Sequence, residues 1–254
     1  MIIGIIPARF ASTRLMGKPL ADIGGKPLIQ HTYENASNSK LLKKIIIAVD
    51  DEKVREVCQK FGAEVVMTAK EFASGSDRVS YVANKKKKAE IIVNIQGDEP
   101  FISGNMIDEA IEPLLFDKDV NISTLAKRIE TLDELQSPDI VKVVFDYNNY
   151  AMYFSRSPIP HVRDTVLLDN KIEKNEFYKH IGLYVYRRDH LIKFTKLTPT
   201  DLEKTEKLEQ LRMLENGLKI KIVVTGFESI GVDTPEDLKR ARAYYKRMKS
   251  GKVK

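Results

Sequence analysis

The first half of the chain alternates short apolar runs with stretches of helical periodicity. It opens with Ile2-Ile3-Gly4-Ile5-Ile6, a β-branched run that stops at Pro7. Consecutive apolar positions of this kind are typical of parallel strands that are buried on both faces. Further strands are predicted at residues 44–49, 64–67 and 90–95, and helices at residues 28–37, 52–61, 77–87 and 105–116. This order predicts an α/β protein with a parallel sheet and helices on both faces.

From about residue 120 the pattern changes to strand-like segments with less helix. Strands are predicted at residues 121–127, 141–146, 152–155, 181–187 and 220–224, and helices at residues 189–195, 205–216 and 235–248. No internal repeat, proline-rich linker or low-complexity block divides the chain. We therefore predict a single domain over residues 1–254, with a smaller β-rich subregion embedded at about residues 120–217.

The composition favours a compact globular protein over a membrane-spanning one. The 254 residues are 43% hydrophobic and 31% charged, as in a compact globular protein. No apolar run approaches the roughly 20 residues that cross a bilayer, and the first run reaches Pro7 and Arg9 too soon for a signal peptide. We expect a cytoplasmic protein without membrane insertion.

The charge distribution argues against a nucleic-acid-binding protein, and the cysteine content excludes a disulfide-bonded one. The net charge of +6 is concentrated at residues 85–88 and 246–254 without interleaved aromatic residues, so we expect no nucleic-acid partner. The single cysteine, Cys58, rules out an internal disulfide, and the helical pattern around it predicts a core position.

The loops that follow the predicted strands are the first places to search for a ligand, because open parallel sheets bind ligands beyond the carboxyl ends of their strands. The first loop, PARFASTRLMGKPL, places Arg9, Arg14 and Lys18 among small residues. Small residues let backbone N–H groups approach phosphate oxygens, and the cations offset the charge of a triphosphate. We predict that Pro7, Ala8, Arg9 and Lys18 bind a nucleotide. An exposed basic loop is the plainer alternative, and neither a Walker nor a dinucleotide motif is present.

A second loop, ASGSDR, opens the helix predicted at residues 77–87. Ser74 and Ser76 are good helix-capping residues, and a plain cap is the structural alternative. Gly75 allows close approach of a ligand, and Arg78 on the first turn is placed to reach a ring carbonyl. We therefore predict a base or ribose contact by Ser74, Gly75 and Arg78.

A third loop, QGDEP, follows the strand predicted at residues 90–95. A carboxylate fixed at the end of a central strand is well placed to bind Mg²⁺, which uses one or two carboxylates plus substrate phosphates. Asp98 is the candidate ligand, and Glu99 is expected only to cap the turn before Pro100. Gln96 and Gly97 join the predicted nucleotide-binding residues.

The fourth loop, GVDTPEDL, precedes the last predicted helix. Capping by Thr234, with proline and acidic residues in the first turn, explains most of the motif. It leaves Asp233 without a structural role. We predict that Asp233 and Asp98 together bind Mg²⁺.

These four loops, in this order, resemble those of the 3-deoxy-manno-octulosonate (KDO) cytidylyltransferase family, which is related to the CMP-sialate synthetases. The resemblance continues through FSRSPIP at residues 154–160, HIGLY at residues 180–184 and LEQLRMLENG at residues 208–217, which are the family-specific segments. It implies a Rossmann-like, mostly parallel sheet flanked by helices, of the nucleotide-diphospho-sugar transferase type. It also implies that the smaller subregion helps to form a homodimer.

The resemblance implies transfer of CMP from CTP to the anomeric hydroxyl of KDO, with release of pyrophosphate, for lipopolysaccharide biosynthesis. Arg9 and Lys18 would hold the phosphates, and Lys18 would act in catalysis together with magnesium-binding Asp98 and Asp233. The sugar acid would be bound by Arg156, His180, Tyr184, Glu209 and Gln210. A sugar acid requires a cation for its carboxylate and neutral or acidic groups for its hydroxyls, which this set provides. Taken singly, each has an ordinary explanation as a core residue or part of an exposed helical pair.

Three positions depart from the family's pattern. Met16 stands where proline is usual, Phe72 where histidine is common, and Ser76 where threonine is usual. None of these changes touches the predicted metal ligands. Three alternatives remain open: a cytidylyltransferase for a related acid, such as 8-amino-KDO or a sialic acid, a nucleotide-binding protein without turnover, and nucleic-acid binding driven by the net charge of +6, which predicts a strongly salt-dependent affinity.

Overall fold

The computed structural model describes residues 1–11, 15–163 and 176–251. Arg14 of the predicted phosphate loop lies outside these residues. The chain divides into two compact units: a first unit, Met1–Asp108 with Glu228–Lys254, and a second unit, Glu109–Phe227. The subregion predicted at residues 120–217 falls inside the second unit, and the single-domain description stays a prediction.

The strands, in chain order, are β1 (Ile2–Ala8), β2 (Asp22–Ile23), β3 (Lys26–Pro27), β4 (Lys44–Val49), β5 (Glu64–Met67), β6 (Ile91–Asn94), β7 (Ile122–Arg128), β8 (Lys142–Phe145), β9 (Ala151–Ser155), β10 (Tyr178–Arg187) and β11 (Lys221–Val224). The helices are α1 (Leu28–Ala36), α2 (Glu52–Lys60), α3 (Gly75–Lys85), α4 (Gly104–Phe116), α5 (Leu132–Gln136), α6 (Arg188–Phe194), α7 (Asp201–Glu206), α8 (Glu209–Glu215) and α9 (Pro235–Lys249). No helix among the described residues is long and apolar enough to span a membrane.

The first unit contains the predicted parallel sheet. β1 lies between β6 and β4, and β5 pairs with the outer edge of β4, all in parallel. Ile5 and Ile6 are both fully buried, as are Ile46 and Ile47. Burial of neighbouring residues on opposite faces explains why these strands have continuous apolar runs, and it confirms the predicted α/β class.

Several helix ends of the first unit follow from side-chain caps. Asp51 accepts hydrogen bonds from the backbone N–H groups at the start of α2. Ser74 forms a capping box with Asp77, so α3 begins two residues earlier than predicted. Within α2, Cys58 is buried as predicted, and burial raises its pKa to about 12, so the thiol stays protonated.

The second unit contains the predicted β-rich region. β7 pairs with β11 in parallel and with β10 in antiparallel orientation, and β8 pairs in antiparallel orientation with β10 and β9. The single helix predicted at residues 205–216 is wrong, because α7 and α8 are separated at Lys207, whose φ is +55°. The short strands β2 and β3 and the helix α5 were not predicted.

Candidate active site

The described parts of the phosphate loop are tied to each other. Backbone N–H of Gly17 donates to the carbonyl of Phe10 at 3.2 Å. Gly17 has φ +66°, a conformation that favours glycine, and it directly precedes a short 3₁₀ turn, Lys18–Leu20. Lys18 therefore follows a fixed bend rather than extending from a loose basic loop. The neighbouring Met16 is exposed, and nothing among the described residues explains its presence.

The Lys18 ammonium lies between two carboxylates. Its Nζ atom is 2.7 Å from Asp98 Oδ2 and 2.8 Å from Asp233 Oδ1. Burial disfavours the charge on Lys18, but the two carboxylates outweigh burial and raise the pKa of Lys18 above its ordinary value. The structure thus brings together the three residues that were predicted to act in catalysis.

The two acidic loops are also joined directly. Backbone N–H of Val232 donates to the carbonyl of Asp98 at 2.9 Å, and Ser229 Oγ donates to Glu99 Oε2 at 2.7 Å. Glu99 was expected only to cap a turn, whereas its side chain joins the two loops. Burial, with a smaller contribution from the charge of Asp98, raises the pKa of Glu99 to about 7 against the opposing effect of the hydrogen bond from Ser229.

The start of α9 leaves the Asp233 carboxylate available for Lys18. Thr234 Oγ1 accepts from the backbone N–H of Asp237, and the Asp237 carboxylate accepts from the backbone N–H groups of Asp233 and Thr234. The cap is therefore built from Thr234 and Asp237, as the sequence predicted for Thr234. Asp233 contributes its backbone N–H to this cap.

The donor set of Asp98 and Asp233 fits a magnesium ion that also binds substrate. Two carboxylates that converge on one ammonium show that the position suits a cation. Among the described residues there is no group of three or more His, Cys, Asp and Glu side chains suited to a metal. Two carboxylates are nevertheless enough for Mg²⁺ when phosphates and water complete its coordination.

The loop from Ser74 to Arg78 has a structure that its motif only partly indicates. Ser74 is the N-cap of α3, and a β-carbon added to Gly75 would meet Pro7 at an ordinary 3.5 Å. The Arg78 guanidinium is fully buried and pairs with Asp50 at 2.9 Å. Its other amino group donates to the Thr68 hydroxyl. The contact of these residues with a base stays a prediction.

Gly97 is required by the packing of its own loop. A β-carbon on Gly97 would lie 2.5 Å from the carbonyl oxygen of Pro7, at the end of β1. Arg9, two residues later, donates to the backbone carbonyl of Phe72. The predicted nucleotide-binding residues thus lie at the ends of the adjacent strands β1 and β6, or within two residues after them: Pro7, Ala8, Arg9 and Gln96.

In the second unit, His180 and Tyr184 lie together on β10. Their ring centroids are 5.3 Å apart, and His180 Nε2 is 2.9 Å from Thr124 Oγ1. Burial lowers the pKa of His180 to about 3, so the imidazole is neutral at physiological pH. The Tyr184 hydroxyl is buried, and within the described residues no hydrogen bond of normal geometry satisfies it.

The three other predicted sugar-acid residues lie near α7 and α8. Arg156 Nε donates to the carbonyl of Glu206 at 2.8 Å, and Arg156 Nη1 donates to the carbonyl of Pro138 at 2.9 Å. Glu209 and Gln210 begin α8, where Gln210 is buried, so the alternative of an exposed helical pair is wrong for that residue. Burial raises the pKa of Tyr184 well above its ordinary value, and the charge of Glu209 adds to this effect.

Sequence reasoning missed four residues that organise these groups: Asp50, Thr124, Lys142 and Ser229. Lys142 is fully buried and donates from Nζ to the Arg156 carbonyl at 2.6 Å. Only Asp50 had a usable signal, because it directly follows the strand predicted at residues 44–49. The others become visible only when strand pairing is known.

A parallel sheet with a cation-containing loop after its first strand, and two carboxylates facing that loop's lysine, is typical of a nucleotidyltransferase. Residues 3–220 match the family described as cytidylyltransferase. A 3-deoxy-manno-octulosonate cytidylyltransferase of Geobacter sulfurreducens is 52% identical over 243 residues, which are 94% of this chain and 97% of the relative. The relative of that name in Geotalea uraniireducens is also 52% identical, over 94% of this chain and 96% of its own. The chain belongs to the 3-deoxy-manno-octulosonate cytidylyltransferase family.

A solved structure supports the same assignment. A CMP:2-keto-3-deoxy-manno-octonic acid synthetase complexed with CTP superposes with a TM-score of 0.90 at 38% identity, covering 97% of this chain and 99% of the other. The fold predicted from the resemblance, a mostly parallel sheet flanked by helices, is confirmed. The catalytic activity of the family is nucleotidyl transfer.

Proposed function

We propose that the protein transfers CMP from CTP to the anomeric hydroxyl of KDO and releases pyrophosphate. The observation that carries this proposal is the convergence of Lys18, Asp98 and Asp233 beside the phosphate loop. The names of relatives at 52% identity over nearly the whole chain support CTP and KDO as the substrates. The product, CMP-KDO, would supply lipopolysaccharide biosynthesis.

The nucleotide is bound by the first unit in this proposal. Arg9, Lys18 and backbone N–H groups of the phosphate loop hold the triphosphate, and Asp98 and Asp233 hold Mg²⁺. When bound there, Mg²⁺ would offset the charge of the phosphates and would favour loss of the proton from the attacking hydroxyl. Lys18 supplies positive charge for the leaving pyrophosphate.

The sugar acid is bound by the second unit. Because His180 is neutral at physiological pH, it offers a hydrogen bond to a hydroxyl and no charge for the carboxylate. Arg156 is the cation for that carboxylate, and its guanidinium is already oriented by the carbonyls of Glu206 and Pro138. The buried Tyr184 hydroxyl, with Glu209 and Gln210, supplies further polar contacts.

The reaction is an in-line displacement at the α-phosphorus. A bond forms between the anomeric oxygen and the α-phosphorus, the bond to the β-phosphate oxygen breaks, and the hydroxyl proton passes to solvent. Catalysis of this kind depends mainly on positioning and on stabilisation of charge. No dedicated protein base is needed when the attacking hydroxyl is acidified.

A pyrophosphate-release assay tests the proposal. CTP, UTP and ATP are each combined with KDO, 8-amino-KDO and a sialic acid, with Mg²⁺ or with EDTA. We expect turnover only with CTP, KDO and Mg²⁺ together. Preference for another acid would reassign the second substrate, and CTP binding without turnover of any acid would show a nucleotide-binding protein instead.

We also propose a cytoplasmic homodimer. Large apolar side chains of the second unit are exposed, among them Phe116 and Tyr147 at 85% and 108% relative exposure. Burial of such side chains against a second copy would remove apolar surface from water. Sedimentation equilibrium should give twice the chain mass, and a monomer at micromolar concentration would contradict the proposal.

A further inference from the structure

Asp50 connects a buried arginine with the phosphate loop. It directly follows β4, and its two carboxylate oxygens accept from different directions. Oδ1 accepts from the backbone N–H of Phe10 at 3.0 Å, and Oδ2 accepts from Arg78 Nη2 at 2.9 Å. The Asp50 and Arg78 side chains are only 7% and 0% exposed. One buried ion pair therefore holds a backbone amide of the loop.

The connection continues to Lys18. The Phe10 carbonyl accepts from the N–H of Gly17, and Gly17 directly precedes Lys18. Phe10 is thus held at its amide by Asp50 and at its carbonyl by Gly17. A hydrogen-bonded path runs from Arg78 through Asp50 and Phe10 to the residue before the catalytic lysine.

We propose that Asp50 and Arg78 are positioning residues that fix Phe10, and through it Gly17 and Lys18, in the conformation that binds the CTP triphosphate. Arg78 acts through Asp50 in this proposal, instead of touching the cytosine. The proposal deepens the function proposed above and rests on it, since it requires that the loop binds phosphates.

Charge and burial explain why this pair suits such a role. A buried guanidinium requires a compensating anion, and removal of that anion from a buried pair is strongly destabilising. A carboxylate also accepts a backbone hydrogen bond more strongly than a neutral group does. Because Asp50 has to remain beside Arg78, the amide of Phe10 is held by an acceptor that cannot move away.

A second contact links the same regions. Arg9 donates to the Phe72 carbonyl, and the Phe72 ring lies 5.9 Å from the guanidinium carbon of Arg78. Burial lowers the pKa of Arg78, and the charge of Arg9 lowers it further, whereas Asp50 raises it. Arg9 is therefore close enough to Arg78 to lower its pKa, and both arginines lie beside Phe72.

The burial of Arg78 argues against a direct contact with the base. Both amino groups of its guanidinium are engaged, by Thr68 and Asp50, and the side chain has no exposed surface. Its Nε atom is buried as well and bonds to no described residue. A base would have to displace existing contacts to reach any of these nitrogens.

The test is the Asp50→Asn variant. The amide can accept from Phe10 or from Arg78, but it cannot accept from both. We expect KM for CTP to rise about tenfold, the factor that corresponds to roughly 1.4 kcal/mol, while KM for KDO stays unchanged and kcat changes far less than KM for CTP. A merely structural role would reduce the folded fraction and leave KM for CTP as it is.

Asp108→Asn is the matched control. The Asp108 carboxylate accepts from the backbone N–H groups of Lys40 at 2.9 Å and Leu41 at 3.2 Å, in a different loop of the first unit. The chemical change is identical, and urea unfolding should show a loss of stability. KM for CTP should not change.

The position of Phe10 is read directly by NMR. The chain has 10 phenylalanines, so [¹⁵N]Phe labelling gives a simple spectrum in which Phe10 is assigned by its loss in Phe10→Leu. Its amide proton should move upfield in Asp50→Asn and stay in place in Asp108→Asn. If Asp50→Asn does not fold, Arg78→Lys, which keeps the charge with fewer donors, should shift KM for CTP and the Phe10 amide in the same direction by less.

Each outcome decides the proposal. Normal KM for CTP in a folded Asp50→Asn protein whose Phe10 amide has moved would overturn it, and so would an equal rise of KM in Asp108→Asn. If the wild-type protein binds CTP without turnover, the proposed function fails, and the same comparison is made with the Kd for CTP from calorimetry. Turnover by the wild type with unaltered KM in Asp50→Asn rejects only the positioning role.

Discussion

The ammonium of Lys18 lies 2.7 Å from the carboxylate of Asp98, across 80 positions of sequence. The same ammonium contacts Asp233, so one positive charge separates two negative ones. Without a cation, these carboxylates would repel each other in a partly buried place. Asp98 and Asp233 can therefore remain close together only with a positive charge between them, either from Lys18 or from a metal.

Asp98→Asn should therefore abolish most activity and leave the fold intact. We expect kcat/KM to fall about 100-fold or more, because the proposed metal would contribute several kcal/mol of charge stabilisation. Pyrophosphate release, together with calorimetric titration of Mn²⁺ in the presence of CTP, measures the effect. Asp22→Asn, which changes an exposed carboxylate of the same unit, is the control. Near-normal turnover by Asp98→Asn would refute the metal assignment.

The two loop glycines should respond differently to alanine. In Gly97→Ala the new β-carbon meets the Pro7 carbonyl at 2.5 Å, so β1 or its neighbour has to shift, and both stability and CTP binding should decrease. In Gly75→Ala it meets Pro7 at an ordinary 3.5 Å, so the free energy of unfolding should hardly change. Urea unfolding and KM for CTP measure both variants.

The result for Gly75→Ala also tests the predicted nucleotide contact. If a nucleotide approaches this backbone closely, KM for CTP rises although stability is normal. An unchanged KM would remove Gly75 from the nucleotide-binding residues.

His180 should make the protein less stable in acid. Its pKa is about 3 in the folded protein, against an ordinary 6.5, so between these values the unfolded chain binds a proton that the folded protein does not. The contribution to the free energy of unfolding therefore falls as pH falls through this window, by up to about 1.4 kcal/mol per pH unit.

His180→Gln isolates this contribution. The difference in the free energy of unfolding between wild type and variant should shrink steadily from pH 6.5 towards pH 4. His161→Gln, at an exposed histidine, is the control for the chemical change. A difference that is independent of pH would mean that His180 is not buried in its neutral form.

Replacing Lys207 with glycine should stabilise the protein. It is exposed and has φ +55°, a conformation that a residue with a β-carbon adopts at a cost of about 1 kcal/mol. Lys207→Gly should therefore raise the free energy of unfolding by a similar amount. Lys204→Gly, one turn earlier within α7, should lower it by about 1 kcal/mol, since glycine is unfavourable inside a helix. Equal effects of the two variants would contradict this account.

The sheet of the first unit was predictable because its strands are buried on both faces. β4 and β5 have the predicted bounds, and α4 begins one residue earlier than predicted. Apolar runs indicate the bounds of such strands directly, since each buried residue contributes to the pattern. The ends of those strands then indicated Lys18, Asp98 and Asp233, which the structure brings together.

The missed features depend on contacts between distant residues. Residues around Lys207 include no glycine or proline, so local propensity favours one helix, whereas Glu203 accepts from the backbone N–H of Thr200 at the start of α7 and buried Leu208 precedes α8. The link from Asp50 to Phe10 likewise requires the register in which Ala8 pairs with Val49. Neither fact is encoded within a short window of sequence.

The contact between Lys18 and Asp233 has a consequence for synthesis of the protein. The two residues are 215 positions apart, so a ribosome that adds about 5–20 residues per second makes the second roughly 10 to 40 s after the first. Until then the nascent chain has a phosphate loop and one carboxylate, but not the pair. A translation product that stops before Asp233 is therefore expected to be inert toward CTP, however well its early strands have folded.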